Sequence, residues 1–108
     1  MIHLTAQSKI LLAIEPVDFR KQIDGLVGLC RHQLCQQPNS GELFVFINKS
    51  KTMLRILCYE QNGYWLATKR LSQGHYQWPK KDERLQTVKA HDLTKMLKRV
   101  LESDIKLL

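Results

Sequence analysis

Apolar and polar positions along this chain follow two different periods, and the switches between them mark out its elements. Residues 9–14 are a short apolar run, stopped by Glu15-Pro16, and predict a first strand. Asp18 then stands where its carboxylate can cap a helix. From there Phe19, Ile23, Leu26, Val27, Cys30 and Leu34 fall on one helical face. This helix is expected to end near Gln36, ahead of the turn cluster Pro38-Asn39-Ser40-Gly41. Residues 43–47 are apolar at every position, the pattern of a strand covered on both sides, and residues 48–51 make a polar, basic turn.

Residues 53–59 and 64–71 alternate as the arms of a hairpin about Asn62-Gly63, a pair suited to the positive φ angles of a type I′ turn. With those two residues as the loop, Tyr59 faces Leu66, Leu57 faces Thr68, and Arg55 faces Arg70. Residues 72–74 make a second turn and residues 75–78 a further strand ended by Pro79. Residues 80–84 are a charged connector, and residues 85–88 a short strand. Leu93, Met96, Leu97, Val100 and Leu101 then recur at helical spacing, with Lys95, Lys98 and Arg99 on the other side. The order predicts a single α+β domain over residues 1–108. Its expected architecture is an antiparallel β-meander sheet of about five to six strands packed with two helices.

Charge sharpens this picture. Seventeen Lys and Arg against ten Asp and Glu leave a net charge of +7 in 108 residues, a balance that favours polyanionic partners, nucleic acid first. No apolar run approaches the roughly 20 residues that span a bilayer. The N-terminus has no signal-peptide pattern, so a cytoplasmic protein is expected. Cys30, Cys35 and Cys58 are odd in number and read as reduced packing residues. His3, His32, His75 and His91 are scattered, so neither a metal nor a cofactor is expected. The serines lack a nucleophile motif, Asp18 and Asp24 lack a third carboxylate, and there is no glycine-rich phosphate loop. An enzyme is not expected.

The hairpin concentrates the candidate chemistry. Leu54, Ile56, Cys58, Trp65, Ala67 and Leu71 share a face that belongs against the helices. Met53, Arg55, Leu57 and Tyr59 share the other with Arg70, Thr68, Leu66 and Tyr64. Two arginines directly opposite each other repel, and an anion between them would explain the arrangement. Cations beside flat aromatics suit phosphates and stacked bases, and Lys49 and Lys51 would extend that ground. The competing reading is that Tyr59, Tyr64 and Leu66 cover apolar surface while carboxylates such as Glu42 or Asp18 pair with the arginines. Arg20 and Lys21, in the first turn of the predicted helix, oppose its dipole. They serve either a ligand or a salt bridge to Asp24.

Three blocks occur together: Val17-Asp-Phe-Arg-Lys21 with Ile23-Asp-Gly-Leu26, then Ser40-Gly-Glu-Leu-Phe-Val-Phe46, then Asn62-Gly63 with Lys69-Arg-Leu71, Gly74 and Trp78-Pro79. In this order the chain resembles the small TnpB accessory proteins of the IS sixty-six family of bacterial insertion sequences. The resemblance runs from Ile2 to the C-terminal helix. It implies a non-catalytic helper for DNA transposition, acting beside a separate, larger transposase, and it carries over no catalytic residue. The implied partners are DNA, the transposase and the other helper protein of the same element. The nucleic-acid-binding candidates are Arg55, Arg70, Lys69, Lys49, Lys51, Arg20, Lys21 and Tyr64. The alternative is an adaptor that docks on the transposase through Tyr59, Tyr64 and Leu66 without touching DNA. Several positions depart from the family pattern. Phe19 stands where methionine is usual, residues 48–51 replace a more arginine-rich turn, and Lys89 stands where threonine usually caps the last helix.

Overall fold

The computed structural model describes residues 7–80 and 85–98. Leu43–Ile47 is β2, buried at all five positions as its unbroken apolar run requires, and it lies at the middle of a five-stranded sheet. On one side β2 pairs with β1, Ile10–Ala13, and the two run parallel. On the other it pairs antiparallel with β3, Met53–Glu60, which pairs antiparallel with β4, Gly63–Arg70. β5, Leu85–Val88, closes the far side antiparallel to β1, so the order is β4-β3-β2-β1-β5. The α+β class is as expected and most pairings are antiparallel. The exception is β1 with β2. A helix joins them, and such a crossover returns the chain to the same end of the sheet and forces a parallel pair.

That helix is α1, Ile23–His32, and α2 is Ala90–Lys98. One helix covers each face. Leu26, Val27, Leu29 and Cys30 of α1 pack with Phe44, Phe46 and Leu57, and Tyr64 and Leu66 lie against this cluster. Leu93 of α2 packs with Ile10, Leu12, Val45, Leu54 and Ile56, beside Tyr76 and Trp78 from the chain after β4. The face expected to be open, that of Leu57, Leu66 and Tyr64, therefore lies under α1. Both surfaces of a sheet this apolar must be removed from water, and two helices supply one cover each.

Three local expectations are corrected. Asp18 does not cap α1: the N-cap is Gln22, and the Asp18 carboxylate instead accepts the Arg20 backbone N–H at 2.9 Å in an Asx-type turn. Residues 75–78 form no strand. Tyr76 donates one backbone hydrogen bond to the Lys51 carbonyl at 2.8 Å, and the segment then crosses the core, where the Trp78 indole donates to the Ala13 carbonyl at 3.0 Å. The hairpin loop is Gln61-Asn62, with φ of 50° and 70°, and Gly63 begins β4. Its register pairs Glu60 with Gly63, Tyr59 with Tyr64, Leu57 with Leu66 and Arg55 with Thr68, and so places Arg70 opposite Met53. The shift keeps every side chain on its expected face but parts the two arginines. Holding Gln61 in the left-handed region costs on the order of 1 kcal/mol. The Tyr59–Tyr64 edge-to-face contact, with ring centroids 4.9 Å apart, and the Leu57–Leu66 pair offset it. Of the C-terminal apolar stripe, Val100 and Leu101 lie outside the described residues.

Candidate functional site

Because β1 and β2 are parallel, their C-terminal ends share one end of the sheet with the start of β3 and the finish of β4. The β1–α1 connector is tied to this end by the Val17 N–H, which donates to the Ile47 carbonyl at 2.8 Å. A shallow cleft runs here between residues 17–20 and residues 48–50. Asn48 closes the β2–β3 turn: its Oδ1 accepts the backbone N–H groups of Thr52 and Met53, each at 3.0 Å. The turn leaves Lys49 exposed and Lys51, with φ of 60°, half-buried beside the entry of residue 76. The ladder continues past β4, where the Leu71 N–H donates to the Thr52 carbonyl at 2.9 Å, and this holds Lys69 and Arg70 at the same end.

Six of the eight predicted residues, Arg20, Lys21, Lys49, Lys51, Lys69 and Arg70, therefore lie at one end of the sheet, although they come from three separate stretches of chain, and Lys21 lines a neighbouring cleft with Leu29 and Gln33. Arg70 is exposed and makes no hydrogen bond or ion pair among the described residues. Arg20 is exposed but engaged. Its guanidinium grips the Asp18 carboxylate through Nε and Nη2 at 2.9 and 2.7 Å, so its salt bridge runs to Asp18 and not to Asp24. This grip and the Arg20 backbone N–H hold the Asp18 carboxyl down at about 2, below its usual 3.8. The opposite end of the sheet carries Glu42 and Glu60 with Lys9, so the charge is unevenly divided between the two ends.

Arg55 and Tyr64 lie elsewhere. Arg55 is half-buried on the α1 side, and its donors are committed inward. Nη1 donates to the carbonyls of Phe19 and Lys21, both at 2.8 Å, and Nε to the Thr68 hydroxyl at 3.0 Å. Its guanidinium carbon sits 4.7 Å from the Phe19 ring centroid. A planar fork with several donors can bridge two carbonyls and stack on a ring at once, which an ammonium cannot. Arg55 thus clamps the connector that carries Arg20 and Lys21. Tyr64 is at the far end of β4, under α1 and against Tyr59. Sequence reasoning placed both residues on the right face. It had no signal for what covers that face, because α1 belongs to a distant stretch of chain.

No group of three His, Cys, Asp or Glu is placed to hold a metal among the described residues, and no helix among them is long and apolar enough to cross a membrane. Burial pushes the Cys30 thiol up to about 12 and raises that of Cys58, while Cys35 is exposed.

The fold is that of a small, basic α+β protein with a mixed five-stranded sheet and cations at one end of it. Residues 8–105 match the family described as IS66 Orf2 like protein, and the chain belongs to that family of transposition-related accessory proteins. Two similar proteins are both from Sinorhizobium fredii. The chain is 38% identical to y4jC over 79 residues, which cover 73% of this chain and 68% of y4jC. It is 31% identical to y4hO over 71 residues, 66% of this chain and 62% of y4hO. No solved structure matches the chain.

Proposed function

We propose that this protein is a non-catalytic accessory factor of insertion-sequence transposition that holds DNA phosphates along the rim formed by Arg20, Lys21, Lys49, Lys51, Lys69 and Arg70. The observation that carries the reading is the convergence of cations from residues 20–21, 49–51 and 69–70 at one end of the sheet. Of the acids beside them in the chain, Glu15, Asp18 and Asp24, Asp18 is already matched to Arg20. Like charges gathered by the fold repel one another, and a polyanion relieves that repulsion while its condensed counterions are released to solution. Arg55 contributes indirectly, by fixing the connector that carries two of the cations.

A salt titration of binding to duplex carrying the element's terminal repeats tests this. The logarithm of the affinity should fall linearly with the logarithm of the salt concentration. The double variant Lys21→Ala/Lys49→Ala should flatten the slope by about 1.8, close to one unit for each phosphate that is no longer neutralised. Binding that ignores salt, or a variant with the wild-type slope, would reject the rim as the binding surface. An adaptor role on the transposase has less support, because two of its three proposed docking residues, Tyr64 and Leu66, are partly covered by α1.

A further inference from the structure

β4 is an edge strand: among the described residues only β3 pairs with it. In an antiparallel ladder the residues alternate between those bonded to the neighbour and those whose N–H and C=O point away. The Leu71 N–H to Thr52 carbonyl bond fixes the phase, so the outward backbone groups belong to Tyr64, Leu66, Thr68 and Arg70. Native edges are usually blunted by a proline, a bulge, short length or charged side chains, and on β4 the charges, Lys69 and Arg70, are confined to the last two positions. β4 has eight residues, no proline and an uninterrupted register. It also carries Trp65, 48% exposed and the one large exposed apolar side chain among the described residues.

The residue order along this edge is self-complementary. Tyr64-Trp-Leu-Ala-Thr-Lys-Arg70 reads aromatic, aromatic, apolar, Ala, Thr, cation, cation. We propose that β4 is the seam of a two-fold homodimer, pairing antiparallel with β4 of a second copy in the register centred on Ala67. In that register Tyr64 faces Arg70, Trp65 faces Lys69, Leu66 faces Thr68, and Ala67 faces its own copy. Every aromatic then meets a cation, the favourable cation–π geometry across strands, and no like charges oppose each other. The outward-pointing residues pair only with outward-pointing residues, so all four contribute ladder hydrogen bonds. A two-fold pairing must set one residue against itself, and Ala67 is small, uncharged and exposed. Centring on Leu66 or on Thr68 would also satisfy the backbone, but it would leave neither cation opposite an aromatic ring. The seam shares Lys69 and Arg70 with the proposed DNA rim, but the open edge and the residue order that support it do not depend on DNA binding.

Sedimentation equilibrium of the full chain without DNA is the first measurement. The mass should rise with concentration to twice the 12.6 kDa of the chain, and Thr68→Pro, which removes one outward N–H, should hold it at the single value. Register is tested by oxidation in a Cys35→Ser background. Ala67→Cys should cross-link to its own copy, because directly opposed Cα atoms in a non-hydrogen-bonded pair lie about 4.5 Å apart, within disulfide range. Trp65→Cys and Lys69→Cys should each fail alone and cross-link when mixed. A monomer at every concentration, a dimer untouched by Thr68→Pro, or cross-linking of Trp65→Cys to itself would overturn the proposal.

Discussion

Arg55 joins residues 34 and 36 positions apart in the chain through two carbonyl hydrogen bonds, so its removal should be felt as lost stability. Arg55→Ala leaves those carbonyls without their charged donor and strips the guanidinium from the Phe19 ring. Unfolding in urea should show a loss of about 2 kcal/mol, and Arg55→Lys should recover less than half of it, since an ammonium cannot span both acceptors. Asp18 gives a pH signature. Its carboxyl is held down to about 2 from 3.8, so the folded state binds this proton less readily than the unfolded chain does. The contribution is fully present above about pH 4 and is lost as pH falls through 2. Carboxyl titration by NMR should find Asp18 well below its usual 3.8, and Arg20→Ala should bring it back towards that value. The cysteines divide in the same physical way. A thiol reagent should label Cys35 rapidly in the native protein and reach Cys30 and Cys58 only on unfolding, because burial suppresses their thiolates.

Among the elements, the β3–β4 turn and α1 both sit away from their local optimum. The turn needs positive φ at both positions and has Gln61 and Asn62 there. The double change Gln61→Asn/Asn62→Gly installs the preferred type I′ pair in the observed register and should stabilise the protein by about 1 kcal/mol in urea unfolding. In α1, a Cβ added at Gly28 would meet only His32 Cδ2 at 4.0 Å, whereas at Gly25 it would press on Lys21 Cβ at 3.1 Å. Gly28→Ala should therefore stabilise by up to about 1 kcal/mol, the helix-propensity difference, and Gly25→Ala should gain less, because Lys21 is held by the Arg55 clamp. The position of the turn was legible from Asn62-Gly63 to within one residue. Cross-strand packing of Tyr59 on Tyr64 and Leu57 on Leu66 decided the last step, and turn propensity alone carries no information about that packing.

At the scale of the molecule, β2 and β3 lie between the two covers, with their central residues buried, while β4 is exposed over its last four positions. Hydrogen exchange should rank their amides accordingly: slowest in β2 and the β2-facing groups of β3, fastest in the outward groups of β4. The rim follows from topology in the same way. A parallel β1–β2 pair brings the chain after β1 to the end of the sheet where β2 and β4 finish. That placement brings cations scattered along the sequence to one end of the sheet.

Much of the fold and part of the site were present in the linear chain. The strand expected at residues 75–78 did not form, but apolar runs located β1 and β2, alternation about a turn located the β3–β4 hairpin, and helical spacing located both helices. Parity put Arg55, Tyr64 and Arg70 on one side of the ribbon, and net charge pointed to a polyanion. These are local properties, set by neighbouring residues and summed composition. Pairing across strands, the choice of which helix covers which face, and the reach of Arg55 to the carbonyls of Phe19 and Lys21 depend on segments tens of residues apart. Only packing of the whole chain could decide them. The same packing took Arg55 out of the exposed cation set and assembled the other cations on a rim that no stretch of sequence displays.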